Sequence, residues 1–181
     1  MNYGYCISSV TFVCSMKQQW YVYYTKSRHE KKVKELLERR GFDVFLPMQK
    51  VLRQWSDRKK KVETPLFNSY IFVRTEEHRI SDVLQIPGVS WNIRHNGKPA
   101  VLHANEYDLI NRFLATGLTL EVLATPDLRQ GDQVKVIDGP LRGMYGVLVG
   151  TADDTRFLVA LDSIGQSIRV TLEPHLMKRI T

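Results

Sequence analysis

The densest group of cations in the chain lies in a polar run just after Trp55. Arg58, Lys59, Lys60 and Lys61 are consecutive there. Four cations on a projecting turn are suited to following a phosphate backbone, because each contact releases counterions condensed on the nucleic acid. The indole beside them is suited to stacking on an unpaired base. Lysine-rich turns are also common as plain solvated surface, so the run predicts either a nucleic-acid contact or a soluble hairpin tip.

Two stretches rich in aromatic and β-branched residues flank this run and must position it. Residues 51–55 lead into the run and residues 62–74 lead out of it, which predicts a long hairpin with the cations at its tip. The second stretch carries three rings, Phe67, Tyr70 and Phe72. These rings predict either an aromatic surface patch or a share of the core, and the core is the commoner position for aromatic side chains.

Strand and helix patterns alternate through the rest of the first part. Residues 20–25 have the composition of a strand. Ser27 and Glu30 then stand at capping-box spacing before an amphipathic helix that Gly41 ends.

Two more helices and a tight turn follow. Asn96-Gly97 is the strongest hairpin signal in the chain, and Asn105 is placed to cap the third helix. The order of elements predicts an α+β fold in which helices pack on an antiparallel sheet.

The pattern of predicted secondary structure changes after residue 127. Short strand patterns separated by glycine-containing turns replace the helices, at residues 133–137, 146–149, 156–161 and 167–172. Such spacing predicts a small all-β barrel. We therefore expect a disordered extension over residues 1–19, a first domain over 20–118, a linker over 119–127 and a barrel domain over 128–181.

The composition favours an anionic partner and disfavours catalysis. The 181 residues carry a formal net charge of +7, which is typical of proteins that bind nucleic acid. The five histidines are scattered, and neither a nucleophile–histidine arrangement nor a phosphate-binding loop is recognisable. We therefore predict no enzymatic activity, no cofactor and no metal.

The N-terminal tail indicates the cellular compartment in which the protein is expected to act. The chain has only two cysteines, Cys6 and Cys14, and both lie in this tail, so there is no disulfide framework and a reducing cytoplasm is expected. The apolar patch of the tail is short and has no basic residues before it. It therefore predicts neither a signal peptide nor a membrane span.

Motifs in both parts resemble those of one protein family. The barrel part resembles a KOW motif at residues 131–136, 138–143 and 146–148. The first part resembles the N-terminal (NGN) domain of the NusG family of transcription elongation factors at residues 20–22, 27–33, 46–48 and 65–73. The resemblance covers nearly all of residues 20–181, including the order of the two domains.

This resemblance implies a monomeric protein that binds RNA polymerase and travels with it. In the family, an aromatic depression on the NGN domain docks on the clamp helices, a coiled coil of the largest catalytic subunits, and discourages pausing and termination. Matched position by position, the depression here would be built from Tyr24, Phe67, Tyr70 and Phe72.

The chain is most similar to specialised paralogues of the RfaH and UpxY type, which serve long operons such as capsular polysaccharide clusters. One sign is Asn68-Ser69, where the general factor usually has Pro-Gly. Specialised members read the exposed non-template DNA strand, and nascent RNA is the other nucleic-acid partner to consider. Besides the basic run, the implied nucleic-acid contacts are Lys26, Arg28, His29, Arg94 and His95.

The KOW domain implies a partner of its own. Ile164 stands close to where the general factor places a phenylalanine that contacts a ribosomal protein. A ribosomal protein or a termination factor is therefore the expected partner at this position, where the chain departs from the general factor by having isoleucine in place of phenylalanine. Two other functions stay open, namely a housekeeping NusG elongation factor and a ribosome-associated KOW protein.

Overall fold

The computed structural model describes residues 17–54, 59–124, 132–149 and 156–180. Most of the expected extension over residues 1–19 lies outside these ranges, as do Cys6, Cys14, Trp55 and Arg58. The backbones of Lys59 and Lys60 lie within a strand, but their side chains are outside the description.

The first part of the chain has the expected α+β architecture. Its elements in order are β1 (Gln19–Thr25), α1 (Glu30–Arg39), β2 (Asp43–Phe45), β3 (Met48–Gln54), β4 (Lys59–Pro65), β5 (Tyr70–Thr75), α2 (Ile80–Leu84), β6 (Val89–Asn92), β7 (Arg94–His95), β8 (Lys98–Pro99), β9 (Val101–Leu102) and α3 (Ala104–Ala115). β1 is central in the main sheet. It pairs antiparallel with β5 on one side and with β6 and β9 on the other, and β2 continues the sheet beyond β5.

The side chains of β1 alternate between two separate cores, as the pleat of a strand requires. Tyr21 and Tyr23 pack with Val33 and Leu37 of α1. Val22 points to the opposite face, where it joins the apolar cluster that contains Phe113 of α3. The sheet is therefore covered by α1 and α2 on one face and by α3 on the other.

Two hairpins extend from this sheet. β3 and β4 pair over seven residues each, from Met48 with Pro65 to Gln54 with Lys59, as the flanking stretches predict. β7 and β8 enclose the expected tight turn, in which Asn96 has φ 51° and Gly97 has φ 78°. Both values lie in the left-handed region, which Asn-Gly tolerates better than any other common pair.

The second part is all-β, as expected. Its strands are β10 (Glu121–Ala124), β11 (Asp132–Val136), β12 (Tyr145–Val149), β13 (Arg156–Leu161), β14 (Gln166–Thr171) and β15 (Met177–Arg179). They form one antiparallel sheet in the order β10-β14-β13-β12-β11-β15. Its interior includes Val134, Phe157 and Ile168, all almost fully buried. Gly146 is required here, because a Cβ at this position would lie 2.5 Å from the carbonyl oxygen of Leu158.

The stretch expected to be a linker contributes to the structure. Within residues 119–127, the segment Glu121–Ala124 pairs with β14 as strand β10. Leu120 is buried and donates its backbone N–H to Oε1 of Gln49 at 3.3 Å. Only residues 116–120 therefore separate α3 from the barrel sheet.

The two domains contact each other through α3. Arg112 donates to the backbone carbonyl of Arg142 at 2.7 Å, and Glu106 accepts the backbone N–H of Ser163 at 3.1 Å. Apolar side chains of both domains form one continuous buried cluster. The expected cap of α3 was wrong by two residues, because the N-cap is His103 and not Asn105.

Candidate functional site

Three aromatic rings form a row across the main sheet. Tyr24 on β1 is the register partner of Tyr70 on β5 and of Trp91 on β6. Its ring meets Tyr70 edge to face, with centroids 5.5 Å apart, and stacks on Trp91 with centroids 4.5 Å apart. These arrangements are the favoured ones for aromatic pairs, so Tyr70, Tyr24 and Trp91 form a preorganised set that we call the aromatic row.

The aromatic row reaches the surface, whereas the two phenylalanines proposed with it do not. Trp91 is 53% exposed, and Tyr24 and Tyr70 are half-buried. Phe67 is 1% exposed and Phe72 is 0% exposed. Phe72 follows Tyr70 by two residues and so shares its face of the sheet, but it lies within the cluster that contains α3. The phenylalanines therefore support the row from the core.

Trp91 was missing from the set expected from the sequence. It lies in a stretch with strand character, but strand composition alone does not tell which neighbour a strand pairs with. The antiparallel register of β1 and β6 places Trp91 opposite Tyr24, next to the pair of Tyr23 with Asn92, and a bulge follows only at Thr25. This register is a long-range property of the sheet, so the sequence held only one clue, an aromatic residue in a short strand.

A tight turn and a buried carboxylate fix the position of Tyr70. Ser69 has φ 64°, a strained conformation for a residue with a side chain. Its N–H donates to Oε1 of Glu30 at 2.8 Å, and its carbonyl accepts the N–H of Thr25 at 2.8 Å. Glu30 thus stabilises the turn at Ser69 by accepting this hydrogen bond. The expected capping box is wrong, because the N-cap is His29 and its side chain makes no capping hydrogen bond.

The expected nucleic-acid residues fall into separate groups. Lys26, Arg28 and His29 are exposed in the loop between β1 and α1. A groove of about 720 Å³ joins this loop to the hairpin and is lined by Arg28, Lys31 and Glu63 among others. Lys31 also donates to the backbone carbonyl of Glu63 at 3.4 Å. The start of α1 and the base of the basic hairpin therefore form one surface.

The other residues expected to bind nucleic acid lie apart from this surface, and one of them lines a second groove. Arg94 and His95 are exposed on β7, and His95 lines a groove of about 380 Å³ with His103 and Asp162. This groove lies where the two domains meet. Of the basic run, Lys61 is exposed, whereas Arg58 and the side chains of Lys59 and Lys60 are outside the description.

Ile164, the expected partner residue of the second domain, is buried. It is 8% exposed and belongs to the cluster shared by the two domains. It follows Ser163, whose backbone N–H is bound by Glu106. Ile164 is therefore not accessible to a partner in the present arrangement.

Nothing in the described residues resembles a catalytic or metal centre. Burial raises the pKa of Tyr21 and, much further, that of Tyr23, with smaller contributions from Glu77 and Tyr21 respectively. Both tyrosines lie in the core beneath α1, away from any groove described above. Among the described residues, no cluster of His, Cys, Asp and Glu could hold a metal, and no helix is long and apolar enough to cross a membrane.

This arrangement defines a two-domain binding protein, with an aromatic row on a rigid sheet and a small all-β domain packed beside it. The chain belongs to the NusG family, whose profile, described as transcription termination factor NusG, matches residues 18–111. This membership confirms the resemblance, the NGN and KOW fold class and the prediction that the protein is not an enzyme. The protein is a transcription termination/antitermination factor of this family.

Individual relatives agree with this assignment. The chain is 30% identical to the transcription termination/antitermination protein NusG of Halalkalibacterium halodurans, over 91% of this chain and 100% of that protein. It is 29% identical to the NusG protein of Streptococcus pyogenes serotype M1, over 75% of this chain and 82% of that protein. A solved structure, titled "Domain interaction in Thermotoga maritima NusG", has a similar fold. It matches with a TM-score of 0.54 and 24% identity, over 92% of this chain and 99% of that one.

Proposed function

We propose that this protein docks on the clamp helices of RNA polymerase through the aromatic row and suppresses pausing and termination in long operons, such as capsular polysaccharide clusters. In this proposal the protein is a specialised paralogue, and it acts on transcription in the cytoplasm. A housekeeping NusG role and a ribosome-associated role are the alternatives.

The observation that carries this proposal is the exposed stack of Trp91 on Tyr24. Contiguous exposed apolar surface marks interaction sites, and aromatic side chains are common anchors at the centre of protein interfaces. The stack and the hydrogen bonds of the Ser69 turn hold these rings in place before binding. Less side-chain entropy is therefore lost when a partner docks.

Nucleic acid is the second proposed partner of the first domain. The loop that carries Lys26, Arg28 and His29 shares a surface with the β3–β4 hairpin, in which Lys59, Lys60 and Lys61 of the basic run begin β4. Phosphates of the non-template strand or of nascent RNA would lie along this surface, with Arg94 and His95 as a second contact. The exposure of Lys26, Arg28 and His29 together in one loop supports this placement.

The KOW domain would bind a ribosomal protein or a termination factor only after the domains separate. Ile164 is the proposed contact; its burial, and the hydrogen bond of the neighbouring Ser163 to Glu106 of the first domain, support a site that is closed in the present arrangement. Binding of polymerase and exposure of Ile164 would then be coupled wherever the polymerase contact competes with the domain contact.

A pull-down from lysate of the source organism tests this function. The wild-type chain should retain the core subunits of RNA polymerase, and Trp91→Ala and Tyr24→Ala should lose them. Leu84→Ala, which removes an exposed apolar side chain from α2, is the matched control and should retain them. Retention of ribosomal subunits without polymerase would favour the ribosome-associated alternative. Retention of polymerase by both row variants would contradict the docking surface.

A further inference from the structure

We propose that the outer face of the KOW domain holds a binding site for a single strand of nucleic acid, centred on Tyr145, Lys135 and Lys178. The site is distinct from the surfaces proposed above. It lies on the barrel, and it does not depend on whether the first domain binds polymerase.

The three side chains stand in one cross-strand row. Lys135 on β11 is the register partner of Tyr145 on β12 and of Lys178 on β15. Direct register partners project to the same face of a sheet. The Nζ of Lys135 lies 5.0 Å from the centroid of the Tyr145 ring, so a cation and an aromatic face are presented together.

The pairing of the two lysines is unfavourable without an anion. Like charges directly opposite each other destabilise a sheet, and in the described part of the chain neither lysine has a carboxylate within ion-pair distance. The nearby carboxylate of Asp132 is 2.9 Å from Arg179 and so is already paired. A phosphate between the two ammonium groups would remove this repulsion.

A shallow apolar groove continues the row. It measures about 340 Å³ and is lined by Gln133, Tyr145, Val147, Leu158, Ala160 and Ile180. Tyr145 is 60% exposed and Ile180 is 42% exposed. Bases stack on exposed aromatic rings whatever their sequence, and the amide of Gln133 can bond to a base edge. The combination of an apolar groove and a neighbouring lysine pair fits a nucleotide, in which a base is joined to a phosphate. It fits an acidic or a basic peptide less well.

The site is open in the present domain arrangement. The barrel segments that bond to α3 contain Arg142 and Ser163, whereas Tyr145 stays mostly exposed. A strand of nucleic acid can therefore bind the barrel while Ile164 is still covered. This property separates the site from the proposed protein contact of the same domain.

The test is a titration of the ¹⁵N-labelled full chain with a nine-nucleotide RNA of mixed sequence, followed by NMR. Cross-peaks of Lys135, Tyr145, Val147 and Lys178 should shift together, and DNA of the same sequence should shift them as well, because stacking and phosphate contacts are common to both. If the chemical shifts of these cross-peaks do not change while those of other residues do, the chain binds RNA elsewhere and the proposal is wrong. A duplex that binds them as tightly as the single strand would also contradict it.

Variants separate stacking from charge at this site. Tyr145→Ala should weaken binding at the barrel peaks about tenfold, whereas Tyr145→Phe should keep it. Lys135→Gln and Lys178→Gln should each lower the slope of log affinity against log salt by about 0.7. Lys32→Gln, at an exposed position on α1, is the matched control and should leave the barrel peaks unaffected. Unchanged affinity in Tyr145→Ala, or unchanged slopes in the folded lysine variants, would overturn the site.

Discussion

Glu106 and Ser163 join the two domains through a partly buried hydrogen bond. Oε1 of Glu106 accepts the N–H of Ser163 at 3.1 Å, and Oε2 accepts the N–H of His103 at 2.9 Å. The glutamate is only 6% exposed, so it depends on these two donors to offset its desolvation. One side chain therefore both caps α3 and holds the second domain against it.

Removing this carboxylate should loosen the domain contact. In Glu106→Ala both N–H groups lose a charged acceptor, and hydrogen bonds to charged groups contribute about 1.5–3 kcal/mol each. We expect amide hydrogen exchange at Ser163 and Ile164 to become at least about tenfold faster. Glu106→Gln keeps an acceptor and should show a smaller change. Unaltered exchange in Glu106→Ala would mean that the apolar cluster alone holds the domains together.

The turn before Tyr70 should depend on Glu30. Glu30→Ala leaves the N–H of Ser69 without its acceptor in a buried turn, and we expect the free energy of unfolding to fall by about 1–3 kcal/mol. Urea denaturation measures this change. Glu35→Ala, an exposed position on the same helix, is the control and should change stability by less than about 0.5 kcal/mol. Equal stability of the two variants would refute the role given to Glu30.

Tyr23 carries a hydroxyl that its surroundings do not use. Its ring is fully buried and its hydroxyl has no hydrogen-bond partner among the described residues. Tyr23→Phe should therefore be neutral or stabilising by up to about 1 kcal/mol at neutral pH, because an unpaired polar group leaves the core. A loss of more than about 1 kcal/mol in urea denaturation would show that the hydroxyl has a partner.

The same variant should respond differently to alkali. Burial raises the pKa of Tyr23 above its ordinary value of 10.0. The folded state therefore binds this proton more tightly than the unfolded state does, and the resulting stability is present below pH 10 and is lost as pH rises further. Wild type should lose stability more steeply than Tyr23→Phe above pH 10. Parallel losses in urea melts at pH 9 and pH 11 would contradict this.

Local sequence patterns predicted most of the elements. The strand composition before α1, the glycine that follows this helix and the Asn96-Gly97 turn each act over a few residues, and all are found in place. Four strands of the second domain, β11 to β14, also match, since strand composition and the glycine-containing turns between them specify them locally. β10 and β15 were not predicted, because their pairing partners, β14 and β11, are each more than 40 residues away.

The candidate site was only partly predictable for the same reason. Tyr24 and Tyr70 lie on recognisable strands, but the pairing of β1 with β6 that brings Trp91 onto Tyr24 joins residues far apart in the sequence. Glu30 has the spacing of a capping residue, yet its carboxylate binds the turn 39 residues away. Phe67 and Phe72 have the same composition signals as the exposed rings, and only the packing of α3 distinguishes them.

The most direct test of the docking surface is site-specific photo-crosslinking from the row itself. A benzophenone amino acid replaces Trp91 in the full chain, which is then irradiated with RNA polymerase, and the products are mapped by mass spectrometry. We predict crosslinks to the clamp-helix coiled coil of the largest subunits, with none from the same probe placed at Leu52, an exposed position on β3. Crosslinks from position 91 that map elsewhere on polymerase, or equally from both positions, would contradict the proposal that this row is the contact.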